Sequence, residues 1–204
     1  PVIVVGNISV GGTGKTPAVI YLAHQLRLAG YYPGIISRGY GRSNSLVQAV
    51  SLSSTPEQVG DEPLLIATRT RCPVFVGNDR VAAGAALLKQ HPEVNVIISD
   101  DGLQHYRLKR SMEVALVDAD RGVGNGFLIP AGPLRESVAR LSLVDVVIVN
   151  GDLAALKLQL PNKNLFPMRL VGETFFSLDG KKKKSAAYFK KKKLAAVAGI
   201  GNPD

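Results

Sequence analysis

Gly6-Asn7-Ile8-Ser9-Val10-Gly11-Gly12-Thr13-Gly14-Lys15-Thr16 is the stretch that decides the fold of this chain. The apolar run Val2-Ile3-Val4-Val5 precedes it and Pro17-Ala18-Val19-Ile20-Tyr21-Leu22-Ala23 follows. Together they read as a buried strand, a glycine-rich loop and a helix. Glycines let successive backbone N–H groups converge on a phosphate without Cβ obstruction, and the helix adds its positive dipole end. Ser9, Val10, Gly11, Gly12, Thr13, Gly14, Lys15 and Thr16 are therefore the candidate nucleotide-binding residues. Lys15 can reach the outer phosphates, as a catalytic point charge, and the Thr16 hydroxyl can hold Mg²⁺. The pattern G-x-x-x-x-G-K-[ST] is broken once, where Ser9 stands in place of its first glycine. The bland alternative is a βα turn that binds nothing, and Gly-Lys-Thr set between strand and helix argues against it.

Outward from this loop, apolar strands alternate with amphipathic helices as far as Asn150. The first helix carries Val19, Leu22, Ala23 and Leu26 on one face and stops at Gly30. Strands follow at Gly34–Ser37, Pro73–Val76, Asn95–Ser99, Glu113–Asp118 and Val144–Val149. Gly60-Asp61-Glu62-Pro63 opens a second helix, and Asn78 or Asp79 caps a third. A glycine-rich loop from Arg121 to Gly132 leads to a helix expected near Pro133. Continuous β-branched runs separated by helices predict an α/β fold of the P-loop NTPase type, a mostly parallel sheet with helices on both faces. Ligands of such sheets bind at the carboxyl ends of the strands, where the motifs fall. Residues 1–155 form the expected core and 156–204 the start of a smaller strand-rich subdomain, with strands at Leu165–Leu170, Thr174–Leu178 and Leu194–Ala198.

The 204 residues, 46% of them hydrophobic, suffice for a sizeable core, and no apolar run reaches the ~18 residues a membrane span needs. The single cysteine, Cys72, excludes an internal disulfide framework and reads as a small core residue. Both ends interrupt an element, a strand at Pro1 and a helix start at Asn202-Pro203-Asp204, so a piece of a longer protein is expected. The net charge of +9 favours anionic partners. Much of the excess lies in Lys181–Lys184 and Lys190–Lys193, read as solvated loops or hairpin ends. Attraction to anionic lipid headgroups, about 1 kcal/mol per lysine, is the functional alternative.

Asp100 and Asp101, at the tip of a buried strand downstream of the phosphate loop, are candidate Mg²⁺ holders together with Thr16. A kinase acting on a hydroxyl needs a group near the acceptor to take its proton. Asp61 is a candidate because Gly60 can bring its backbone close, though a helix N-cap explains Asp61-Glu62 equally well. His105 could orient a phosphate or an acid, or be structural. Arg38-Gly39-Tyr40-Gly41-Arg42 offers two guanidinium groups around an aromatic face, suited to a phosphorylated sugar. Arg38, Tyr40, Glu62, Arg135 and Glu136 are the candidate acceptor-binding residues; Arg135 and Glu136 could instead cap a helix.

The set Ser9–Pro17, Ser37–Arg42, Gly60–Pro63, Asp100–His105 and Pro130–Glu136, closing with Gly199–Pro203, resembles the tetraacyldisaccharide 4′-kinases of lipid A biosynthesis along essentially the whole chain. The resemblance implies transfer of the ATP γ-phosphate to the 4′-hydroxyl of a tetraacylated glucosamine disaccharide 1-phosphate, giving lipid IVA. It implies ATP and Mg²⁺, with Asp61 removing the acceptor proton, Asp100 and Asp101 serving the metal, and Arg38 and Tyr40 meeting the headgroup. It also implies peripheral attachment to the cytoplasmic face of the bacterial inner membrane, with no nucleic acid and no obligate protein partner. Family members carry a preceding membrane-seating segment and a C-terminal half with a histidine that partners the aspartate base. The residues in hand are expected to keep a nucleotide site yet phosphorylate poorly alone. Three other readings share the loop: a P-loop kinase of a soluble small molecule, a SIMIBI-like nucleotide switch or metallochaperone, and a nucleic-acid-binding ATPase. Against the second, Val146–Asn150 leads into Gly151-Asp152-Leu153 with no guanine-reading Asn-Lys-x-Asp. Against the third, the lysine tracts lack interleaved aromatic residues beyond Tyr188-Phe189.

Overall fold

The computed structural model describes residues 1–156, 164–172, 174–177 and 181–195. The chain divides into two compact units, Pro1–Met168 and Arg169–Asp204. In the first, β1 (Val2–Gly6), α1 (Lys15–Leu28), β2 (Pro33–Ser37), β3 (Gln48–Ala49), α2 (Pro56–Val59), α3 (Asp61–Thr70), β4 (Val74–Val76) and α4 (Arg80–Gln90) follow one another. Next come β5 (Val96–Asp100), β6 (Met112–Asp118), a 3-10 turn at Val138–Ser142, β7 (Val146–Asn150) and β8 (Leu165–Met168). These strands form one eight-stranded sheet in the order β3-β4-β2-β5-β1-β6-β7-β8. Every pairing is parallel except that of β3 with β4 at one edge.

The β-branched runs are buried on both faces because neighbouring residues point to opposite sides. Val4, Ile36 and Ile97 join Leu87 of α4 in one apolar cluster. Val5, Ile35 and Ile98 join Val19 and Ala23 of α1 and Ile66 of α3 in the other. Each fully buried aliphatic side chain of this kind contributes about 1.5–3 kcal/mol. Asp79 is the cap of α4, its carboxylate accepting from the N–H groups of Val81 at 2.9 Å and Ala82 at 3.2 Å. No described helix is long and apolar enough to cross a membrane.

Three expectations are corrected. The boundary falls after Met168 and not near residue 155, because β8 adds to β7 in parallel (Val147 opposite Leu165) and completes the large sheet. The helix expected near Pro133 is an extended segment. There the Val10 N–H donates to the Pro133 carbonyl at 2.8 Å, the Arg135 N–H donates to the Ile8 carbonyl at 2.6 Å, and Leu134 bridges to Ser9. Backbone pairing with the phosphate loop thus replaces helical turns, which resume only in the 3-10 turn at Val138. The expected strand at Leu194–Ala198 does not include Leu194 or Ala195; residues 196–204, with the Gly199–Pro203 motif, lie outside the described residues.

In the second unit, β9 (Thr174–Phe176) and β10 (Lys183–Ser185) pair antiparallel. Phe175 and Tyr188 each meet Phe189 edge-on at 5.0 Å between ring centres. The lysines of both tracts are exposed, with the Nζ atoms of Lys184 and Lys192 over the Tyr188 ring at 4.6 and 3.6 Å.

Candidate active site

The phosphate loop leaves β1, the strand flanked by β5 and β6. Its N–H groups from Gly11 to Gly14 have no acceptor among the described residues. That is a row of free donors ending at the start of α1, as an anion site requires. Ser9 is accommodated because the backbone there is extended and bridged to Leu134; a left-handed turn begins only at Gly11, with φ +94°. The usual glycine is not needed at a position that forms a sheet-like bridge.

The parallel register sets Ser37, the last residue of β2, beside Asp100, the last residue of β5. The Ser37 hydroxyl donates to Asp100 Oδ2 at 2.9 Å, while Oδ1 of this buried carboxylate has no partner. Burial first, then the charges of Glu62 and Asp101, push the Asp100 carboxyl up to about 6. The Thr16 hydroxyl donates to Glu62 Oε1 at 3.3 Å. An orphaned buried oxygen, a hydroxyl at the head of α1 and a second carboxylate fit the hard-oxygen coordination of Mg²⁺. No group of three His, Cys, Asp or Glu side chains among the described residues could hold a metal ion unaided.

The adjacent acids do not share one role. Asp101 takes a left-handed conformation, φ +47°, and both its oxygens accept from Arg135 Nη1 at 3.0 and 3.1 Å. Lys15 Nζ lies 3.8 Å from Asp101 Oδ1. Asp101 therefore holds two cations at the mouth of the loop, and Glu62, expected against the acceptor, lines the cleft and also accepts from Thr16. The extended Pro133–Arg135 segment is what delivers Arg135 to this point.

Lys15, Asp61, Glu62, Asp100, Asp101, Arg38, Tyr40 and Arg135 line one cleft of about 580 Å³, with Val10 and Gly11 at its edge. Asp61 opens α3, and its Oδ1 accepts from the Glu62 N–H at 2.9 Å, so one oxygen has a capping role and the side chain still faces the cleft. Two glycines bring it there. A Cβ on Gly39 would stand 2.6 Å from the Val59 carbonyl, and one on Gly60 3.0 Å from the Gly39 Cα, at φ +90°. The loop after β2 and the head of α3 thus touch backbone to backbone.

His105 does not line that cleft. It lies in an adjoining cavity of about 330 Å³ with Arg38, Arg80, Arg135, Gln104, Asn78 and Asp101. Burial, and then Arg80, lower the affinity of its imidazole for a proton, so it is neutral at pH 7, with a buried Nε2 that has no partner. Arg80 is 4% exposed, donates to the Gly77 carbonyl at 2.9 Å, and is lowered to about 10 by burial; its Nε is unpartnered. Sequence reasoning passed over Arg80 because it occupies an ordinary first turn of a helix. The cue available was an arginine directly after the Asp79 cap, on a helix that otherwise buries Ala83, Gly84 and Leu87.

Glu136, expected to meet the acceptor, does not line either cavity. Its carboxylate accepts from Gln104 Nε2 and the Tyr106 hydroxyl, and forms an ion pair with Arg140, whose Nε lies 3.3 Å away. Gln104 also donates to the Asn7 carbonyl at 3.0 Å and accepts from Arg135 at 3.2 Å. Glu136 supports Arg135 from behind.

The chain as a whole is similar to known proteins. A tetraacyldisaccharide 4′-kinase of Janthinobacterium sp. (strain Marseille) is 54% identical over all of this chain and 59% of its own length. One from Azoarcus sp. (strain BH72) is 55% identical over 99% of this chain and 59% of its own. The crystal structure of LpxK from Aquifex aeolicus in complex with ATP superposes with a TM-score of 0.74 at 30% identity, covering 94% of this chain and 60% of that one. The chain therefore spans about three-fifths of the length of these relatives. With the model of the family described as Tetraacyldisaccharide-1-P 4'-kinase matching residues 1–204, the chain belongs to that family.

Proposed function

We propose that this chain carries the phosphoryl-transfer centre of a tetraacyldisaccharide 4′-kinase, acting on ATP and a tetraacylated glucosamine disaccharide 1-phosphate to give lipid IVA. The observation that carries the reading is the single cleft shared by Lys15, Asp61 and Asp100. The free N–H groups from Gly11 to Gly14 bind the phosphate chain and Lys15 steadies the group in transit. Thr16 and Asp100, with Glu62 close by, would hold Mg²⁺, which when bound neutralises charge on the phosphates. Asp61 accepts the proton of the 4′-hydroxyl as the new O–P bond forms and the bond from the γ-phosphorus to ADP breaks. Arg38 and Tyr40 meet the headgroup, and Arg38, Arg80 and Arg135 surround a cavity suited to an anionic part of it. His105, neutral, orients a phosphate there. The acceptor is a lipid, so the protein works at the cytoplasmic face of the inner membrane, where the exposed lysines of the second unit favour anionic headgroups.

The full-length protein, given labelled ATP and the disaccharide 1-phosphate in detergent micelles, should label the 4′-position. Asp61→Ala should cost at least about 10²-fold in kcat with ATP affinity retained. Unchanged turnover in that variant removes Asp61 from its role, and phosphorylation of soluble sugars in preference to the lipid overturns the substrate assignment.

A further inference from the structure

Arg121, at the end of β6, is used by none of the chemistry above. Asp118 Oδ1 accepts from the N–H groups of Asp120 at 3.1 Å and Arg121 at 3.0 Å, which fixes the turn. The Arg121 side chain crosses to the phosphate loop, where Nη2 donates to the carbonyls of Val10 at 3.4 Å and Gly12 at 3.3 Å. It passes so close to Gly11 that a Cβ there would stand 2.9 Å from both terminal nitrogens. No carboxylate pairs with it among the described residues. The intervening Gly11 carbonyl is taken by the fully buried Asn7, whose Nδ2 lies 3.4 Å from it and 3.0 Å from Thr13 Oγ1.

Three successive carbonyls are thus each held by a side chain, two of them by one guanidinium. In a trans peptide the C=O and the following N–H point in opposite directions. Holding the Val10 and Gly12 carbonyls toward Arg121 therefore turns the N–H groups of Gly11 and Thr13 away from it. Those are donors that find no partner among the described residues. A cation on the carbonyl oxygen also polarises the peptide and strengthens its N–H as a donor.

We propose that Arg121 is a positioning residue for polyphosphate binding, one that orders the phosphate loop from its carbonyl side before nucleotide arrives. The proposal rests on the nucleotide reading given above. It requires no contact between Arg121 and the ligand, and a lysine, a more strongly hydrated point charge on a flexible stem, holds the two carbonyls less firmly than a planar guanidinium.

The test uses Arg121→Ala, Arg121→Gln and Arg121→Lys in the full-length protein. Dissociation constants for ATP, ADP and inorganic tripolyphosphate are measured calorimetrically beside the melting temperature. Arg121→Ala should weaken all three ligands by about tenfold, in the range of charge-assisted hydrogen bonds. Arg121→Lys should recover only part of that loss, and the KM for the lipid acceptor should not move. Unchanged affinities overturn the proposal. So does a loss confined to ATP, which means direct contact with the outer phosphate, and a loss that spares tripolyphosphate, which means contact with the nucleoside. Affinity that merely tracks melting temperature across the three variants overturns it as well. If the unaltered protein binds neither ATP nor tripolyphosphate, it is the nucleotide reading that fails.

Discussion

Replacing Asp100 by asparagine should make the protein more stable at pH 8 in metal-free buffer while abolishing phosphoryl transfer. The carboxyl is buried, Ser37 satisfies one oxygen, and nothing satisfies the other. Its rise from 3.8 to about 6 means the folded state binds a proton more readily than the unfolded chain. Between about pH 4 and pH 6 the folded state then holds more protons, so stability falls as pH rises, and the whole penalty is present above about pH 6. A difference of about two pH units corresponds to about 3 kcal/mol. Asparagine removes that charge and keeps an acceptor for Ser37. Its amide nitrogen stands where the lone oxygen stood, an unpaired donor costing about 1 kcal/mol. The net gain at pH 8 is about 2 kcal/mol, or roughly 4–8 °C in melting temperature for a chain of this size. Below about pH 4 the wild-type carboxyl is protonated and the sign reverses, Asp100→Asn being the less stable by about 1 kcal/mol. Chemical denaturation of both proteins from pH 3.5 to 8, chelator present, reads the difference directly, and groups common to both cancel. A variant less stable at pH 8, or a difference that does not change with pH, refutes the reasoning.

Gly60→Ala should destabilise the fold by about 1–3 kcal/mol, through strain at φ +90° and collision with the Gly39 backbone; denaturant titration measures it. Glu136→Ala strips the acceptor from Gln104 and Tyr106 and an ion-pair partner from Arg140, and should cost about 2 kcal/mol, less than a fully buried pair because the site is partly open. It should also lower kcat through Arg135 without shifting ATP affinity, which separates support from ligand contact. Lys15→Met should leave the melting temperature within a few degrees while lowering kcat at least about 10²-fold, as expected for a group acting on the transferred phosphate; steady-state kinetics under saturating ATP check it.

The sheet was legible because its strands are β-branched runs long enough to be buried on both faces, and the phosphate loop because Gly-Lys-Thr follows one of them directly. Asp61, Asp100 and Lys15 were legible for the same reason: each ends a strand or opens a helix, where local pattern fixes location. Arg135 was found as a candidate on a mistaken element. Pro133 and the Arg-Glu pair suggest a helix start, but pairing of residues 133–135 with Ile8 and Val10 is a long-range backbone contact that no local pattern encodes. Side-chain direction was the other blind spot. Glu136 is the neighbour in sequence of a residue that faces the cleft, and which of the adjacent Asp100 and Asp101 pairs with Arg135 depends on a left-handed turn at Asp101 and on Arg135 arriving from another segment. Arg80, Gln104 and Arg121 are invisible without the fold, since each matters through a partner distant in sequence.

At the seam where Gly39 lies against Val59 and Gly60, backbone meets backbone directly, with the Arg42 side chain alongside. On the proposed function, the loop after β2 that would meet the sugar and the head of α3 that would accept its proton are welded together there, and any rocking of one carries the other with it. If that function holds, the grip on the acceptor cannot be retuned without also moving the base, so selectivity and turnover share a single mechanical joint.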